Sequence, residues 1–206
     1  MKGIAIALVL AACGSSAPQV RYYQLATPAV RGARDAAGSV LAVEPLGADG
    51  AYDDERIVYR VDPVRLDYYN YHHWSSAPGA MVGSYLERAF AGTGRFRSVV
   101  RDTTVDTAAI LGGRVIAIEE IDDSKTSWHG HVELELRLTD PKTRAVLWAH
   151  TYDEREPLAA QTPEGLARAL GVAMDRIVRE ATPAIAELAE RQARARELVA
   201  PAVAGP

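Results

Sequence analysis

The stretch "WHGHVELELRLTD", Trp128 to Asp140, limits the fold more than any other part of the chain. Trp128, Gly130, Val132, Leu134, Leu136 and Leu138 alternate with His129, His131, Glu133, Glu135 and Arg137. Successive side chains of a strand point to opposite faces, so this pattern predicts a half-buried β-strand. "DPKT" turns the chain, and "RAVLWAHTYDERE" returns antiparallel. A sheet with one apolar face must be covered by another layer.

Two helical patterns supply the cover. The first is expected to begin near Ser75 or Ser76, with Pro78 in its first turn, where a missing N–H costs nothing. Its apolar stripe is Met81, Val82, Tyr85, Leu86, Ala89 and Phe90, and Gly92 and Gly94 can end it. The second has Thr162 as cap, Pro163 at the first position and Glu164 at the positive helix end. Leu166, Leu170, Ala173 or Met174, and Ile177 form its buried side. Thr182-Pro183 reads as a second cap, opening a helix that leaves the body and frays into an Ala/Pro/Gly tail.

Further strands are expected in "VRYYQLA", "SVLAVEPL", "RIVYRV" (Ile57, Tyr59 and Val61 on one side), "DYYNYHHW", "RFRSVVR" and "AAILGGRVIAIEEI". The glycines of the last permit a bulge or a close approach. These elements predict an α/β (α+β) single domain: a mixed, largely antiparallel sheet flanked by helices.

The N-terminus carries a separate signal. Met1-Lys2 is followed by "GIAIALVLAA", an uncharged apolar run of 10 residues, and then by Cys13, the only cysteine. Such a run suits a signal-peptide core and is too short for the ~20 residues of a membrane-spanning helix. Small Ala11 and Ala12 precede Cys13, and "GSSAPQ" after it is a polar tether. "LAAC" resembles the bacterial lipobox. That resemblance implies diacylglyceryl and N-acyl groups on Cys13, cleavage just before it, and no other cofactor. Two or more acyl chains give stable anchoring. Gly14, rather than Asp, points to the periplasmic face of the outer membrane over the inner one. The expected organisation is a signal peptide at 1–12, a lipidated tether at 13–20, a domain at 21–182, and a C-terminal helix and disordered tail at 183–206.

Net charge is −4, with no Lys/Arg-rich tract, which argues against a nucleic-acid partner. Candidate chemistry is thin. His129 and His131 share a strand face; the sequence does not fix the register of the returning strand, and an odd-length turn would put His150 on the face of Leu134, away from both. A zinc site needs about four ligands, or three plus water, so no metal is expected. Adjacent His72 and His73 point oppositely. Glu119, Glu120, Asp122 and Asp123 read as a solvated acidic cluster at a strand end. No base has a nucleophile beside it, and no catalytic residue is assigned. The run Tyr68, Tyr69, Tyr71, Trp74 stands as a candidate partner-binding surface, since aromatics combine rigid area with a polar tip. Alternation would send Tyr69 and Tyr71 to one face and Tyr68 with Asn70 to the other; the equal alternative is one core face and one ordinary surface.

Several motifs come in a particular order. They are "YYQL" after the tether, "IVYR", the aromatic run ending in Trp74 with Pro78 close behind, "YLERAF" leading to "GRFRSVV", and the "LELRLTDPKTRAVLW" hairpin. That order resembles the auxiliary lipoproteins of ABC-type transporters, of the paraquat-inducible protein C type, which partner MCE-type lipid transport systems. It covers roughly Tyr22 to Ala181. The chain departs from the pattern at "DDER", where the family often has Arg-Pro, and at "SSAP", where an acidic residue and Pro usually follow the tryptophan. The resemblance implies a fold similar to the N-terminal domain of the Tol-system propeller protein. It also implies a non-catalytic role: docking an MCE-domain periplasmic protein while lipids pass between the membranes. A homo-oligomer is compatible with this. The alternative is a lipid-anchored ligand-binding or structural lipoprotein of the envelope that acts without a transporter.

Overall fold

The structure, a computed structural model, describes residues 18–26, 38–101 and 103–199. The expected leader at 1–12, Cys13 and the far C-terminal tail lie outside the described residues. The strands are β1 (Arg21–Tyr23), β2 (Val40–Val43), β3 (Gly47–Ala48), β4 (Arg56–Asp62), β5 (Arg65–Trp74), β6 (Ser98–Val100), β7 (Ala109–Ser124), β8 (Ser127–Thr139) and β9 (Val146–Pro157). The helices are α1 (Pro78–Gly92) and α2 (Pro163–Val199).

Strand β7 is the spine of the single mixed sheet. One edge pairs antiparallel with β8, which pairs antiparallel with β9. The other edge is shared end to end by β2, β3 and β4, all parallel to β7. Beyond them β5 pairs antiparallel with β4, β1 lies parallel to β5, and β6 parallel to β2. The long pairings are antiparallel and the short ones parallel. Both helices lie on one face. The Tyr85 hydroxyl of α1 donates to the Gly171 carbonyl of α2 at 3.1 Å. Beneath them Leu111, Leu134, Leu136 and Leu138 are fully buried.

Two glycines set close approaches. A Cβ on Gly130 would lie 3.2 Å from both Ala169 Cβ and Leu170 Cγ, so its absence lets α2 sit tightly on β8. A Cβ on Gly113 would lie 2.0 Å from the Glu135 carbonyl oxygen, within the β7–β8 ladder. The β7–β8 register shifts between Val115 and Ala117, just after the glycine pair.

Several expectations are corrected. In "RIVYRV", Ile57 and Val58 are both buried while Val61 is exposed. A register shift between Arg56 and Val58 breaks the alternation there. Helix α1 has Ala77, not a serine, at its N-cap, with no side-chain cap bond. Its anchor is Pro78 and the buried stripe. In "RFRSVVR" only Ser98–Val100 is strand. Thr162 does cap α2, its hydroxyl accepting from the Gly165 N–H at 3.1 Å.

The largest correction is at Thr182-Pro183. No new helix starts there: α2 runs through Pro183 to Val199. Thr182 is buried, and its hydroxyl donates to the Val178 carbonyl. A helix-interior proline costs about 3 kcal/mol. The apolar stripe continues past it, since Ile185, Ala186 and Ala189 are fully buried, and this burial offsets the cost. The segment does not leave the body at 183. Arg196 donates to the Thr107 carbonyl and approaches Asp140 Oδ2 at 3.4 Å, pinning the last turns to the lead-in of β7.

Gly113→Ala should lower stability by about 2 kcal/mol or more, the cost of forcing an atom into a packed ladder. Urea denaturation measures it, and the midpoint should fall without a change in far-UV circular dichroism.

Candidate functional site

The acidic run sits inside the sheet, not in a loop. Glu119 and Glu120 belong to β7, with β4 on one side and β8 on the other. Their exposures are 1% and 0%. As neighbours on a strand they point to opposite faces, and each meets a different environment.

Glu119 faces the helix-free side, where donors surround it. The Tyr52 hydroxyl donates to Oε2 at 2.8 Å. Arg60 Nε lies 3.2 Å from both carboxylate oxygens. His131, its register partner on β8, places Nδ1 3.1 Å from Oε1. The other ring nitrogen of His131 lies 2.9 Å from Asp153 Oδ1 on β9. Each nitrogen thus faces a carboxylate, and both bonds form together only in the imidazolium. Burial alone would raise the pKa of Glu119. The bonds from His131, Arg60 and Tyr52 together outweigh it and hold the pKa below its ordinary value. The carboxylate is a structural acceptor, held ionised. The Tyr52 phenol is pushed up by its burial and by that carboxylate.

These residues floor a cleft of about 760 Å³. Ala51, Leu66, Ala117 and Ile121 supply apolar wall, and Asp49, Asp62, Asp123 and Glu133 supply carboxylates. The size is within the range of small-molecule sites.

Glu120 faces the helices. The Tyr69 hydroxyl donates to Oε1 at 2.6 Å. Oε2 is buried with no donor, as is Asp122 Oδ1, two residues along the same face. Burial pushes the Glu120 pKa up to about 7; the Tyr69 bond opposes this and nearby Asp122 adds to it. Burial likewise raises Asp122. A proton held by Glu120 and shared with Asp122 gives both orphan oxygens a partner. The two buried glutamates cannot act on one substrate, because the sheet separates them.

The aromatic run divides differently from the expectation. Trp74 is 1% exposed and belongs to the core, so it forms no surface. Tyr69 points inward to Glu120, while Tyr71 is 46% exposed. Tyr69 and Tyr71 therefore meet different surroundings, one buried contact and one solvent. The β4–β5 register shifts between these residues, pairing Val58 with Tyr68 but Arg56 with His73. Tyr68 is half-buried, with the Arg56 guanidinium 4.3 Å from its ring centre. His72 meets Tyr23 at 2.8 Å, on the helix side.

His131, on the polar side of the β8 alternation, is buried. Its alternation with leucines marked the correct face. What the sequence lacked was the pairing that puts Glu119 opposite it. His129 Nδ1 lies 2.9 Å from Asp123 Oδ2, an ion-pair distance without hydrogen-bond alignment. His150 pairs with Leu136, away from His129 and His131. Among the described residues, no group of three or more His, Cys, Asp or Glu side chains is placed to hold a metal ion.

Two stability predictions follow from the opposed glutamates. Glu120 is raised from 4.5 to about 7 on folding, so its contribution is present below pH 4.5 and lost as pH rises through 7. Glu120→Gln, whose amide can donate to Asp122, should remove that loss. It should raise stability at pH 8 by on the order of 3 kcal/mol and leave pH 4 unchanged. Glu119 is lowered, so its contribution is present at neutral pH and lost on acidification. Glu119→Ala strands Arg60 and His131 and should cost about 3–5 kcal/mol at pH 7. Thermal melts of both variants across pH 4 to 8 separate the two effects.

Comparison with known proteins agrees with this architecture. A crystal structure of a Xanthomonas campestris protein of the DUF330 family superposes with a TM-score of 0.69 at 20% identity, covering 84% of this chain and 99% of that one. A second solved protein gives 0.68 at 13% identity, covering 81% and 99%. A hypothetical protein from Chlamydia trachomatis gives 0.51 at 9% identity, covering 74% and 98%. Among curated proteins, none matches in sequence. At these identities the structures show the shared fold. The family model for the ABC-type transport auxiliary lipoprotein component matches residues 23–182, and the chain belongs to that family.

Proposed function

We propose that this chain is a lipid-anchored, non-catalytic auxiliary subunit of an ABC-type transporter. Its acyl groups sit on Cys13, and its place is the periplasmic face of the outer membrane. It docks an MCE-domain partner and assists lipid passage between the membranes. The observation that carries this reading is "LAAC", ending at Cys13, set just ahead of a family domain that starts at residue 23. Among the described residues no helix is long and apolar enough to cross a membrane, in keeping with an anchor supplied by acylation. The ionised, fully bonded Glu119 and the separation of the two buried glutamates favour a structural role over catalysis.

A second reading is a lipid-anchored binding protein that carries its own ligand. The cleft of about 760 Å³ favours it.

Cys13→Ser should yield an uncleaved, unlipidated precursor with an intact domain. Mass spectrometry and membrane fractionation check this, and normal acylation of the variant would overturn the anchor. Crosslinking and pull-down of the wild-type protein should recover an MCE-domain chain. Recovery of none, with lipid co-purifying with the protein alone, would favour the second reading.

A further inference from the structure

The β1–β5 edge carries an exposed aromatic patch that the core does not use. Strand β1 pairs Tyr22 with His73 of β5, and their ring centres lie 5.9 Å apart. Tyr22 is 64% exposed, Tyr71 46% and Val20 38%. Tyr22 and His73 are register partners on the helix-free face, opposite Tyr23 and Trp74; Tyr71 is exposed two residues before His73 on β5, and Val20 immediately precedes β1. The neighbouring side chains Tyr23, His72 and Trp74 turn to the helix side.

The patch lies close in sequence to the anchor. Cys13 stands seven residues before Val20. A chain spans at most about 3.3–3.6 Å per residue, so Val20 stays within about 25 Å of the acylated residue. Tyrosine prefers the boundary between acyl chains and water, where its ring is apolar and its hydroxyl wet. The adjacent cation, Arg56, is already held by Asp54 at 2.9 Å, so aromatic area rather than net charge dominates the patch.

We infer that the helix-free face of the β1–β5 edge docks on the bilayer surface, with Tyr22 and Tyr71 in the headgroup layer. This orients the domain on its anchor with the edge down and the β9 end away from the membrane. It rests on acylation of Cys13.

The test uses the acylated full-length chain. With Cys13 blocked by lipid, an introduced cysteine is the one reactive thiol. Tyr22→Cys, Tyr71→Cys and Val146→Cys are labelled with an environment-sensitive fluorophore. Val146 is 57% exposed at the start of β9, distant in the sheet from β1 and β5. Each protein is reconstituted in vesicles of phosphatidylethanolamine and phosphatidylglycerol that carry a headgroup spin label. Quenching should be several-fold stronger at positions 22 and 71 than at 146. Equal quenching at all three overturns the docking while leaving the anchor intact. So does a blue shift at 22 and 71 without quenching, which marks a protein partner or a second copy on the patch. Absence of acyl mass on Cys13 overturns the anchor reading, and the docking with it.

Discussion

Strand β7 is paired by β8 along nearly its whole length and by β2, β3 and β4 in turn on its other side, and the rest of the molecule follows from that. An edge strand can leave its acidic residues in water. A central strand cannot, so Glu119 and Glu120 are carried into the interior by the hydrogen bonding of their own backbone. Each must then be neutralised in place. The chain does this in two ways, one on each face of the same strand. Glu119 keeps its charge and is surrounded by donors from β4, β8 and the turn holding Tyr52. Glu120 accepts from Tyr69 beside Asp122, and its burial raises its pKa to about 7, so it takes up a proton near neutrality.

The two solutions have different consequences. The Glu119 network ties four parts of the sheet together across the helix-free face: the Tyr52 turn, β4, β8 and β9. Removing Glu119 itself leaves Arg60 and His131 without their shared acceptor, which makes it the centre of the clamp. The Glu120 pair lies at the sheet–helix junction and couples stability there to pH near neutrality. The Glu119 network contributes at neutral pH and loses that contribution on acidification, whereas the Glu120 pair loses its contribution as pH rises through about 7.

Helix α2 shows the same logic in apolar form. Its length, roughly 55 Å at 1.5 Å per residue over 37 residues, lets one element cover β8, β9 and the far end of β7. A proline and a threonine in its middle are tolerated because the stripe beneath them never stops.

The hairpin of β8 and β9, both helical stripes, the Thr162 cap and the αβ order were legible in the sequence, because periodicity is a local property of the residues. So was the lipobox-like "LAAC", whose signal is the order of charge, apolar run, small residues and cysteine. The burial of His131 and of the acidic run, the inward turn of Tyr69, the burial of Trp74 and the unbroken α2 were decided by tertiary structure. All of these depend on which strand lies beside which, and on where a register shift reverses a face. Sequence spacing cannot encode a partner 12 or 50 residues away. The strand alternation of "WHGHVELELRLTD" determined that His131 and Glu133 share one face, but only the neighbouring strands determined that this face holds a buried ion network instead of water.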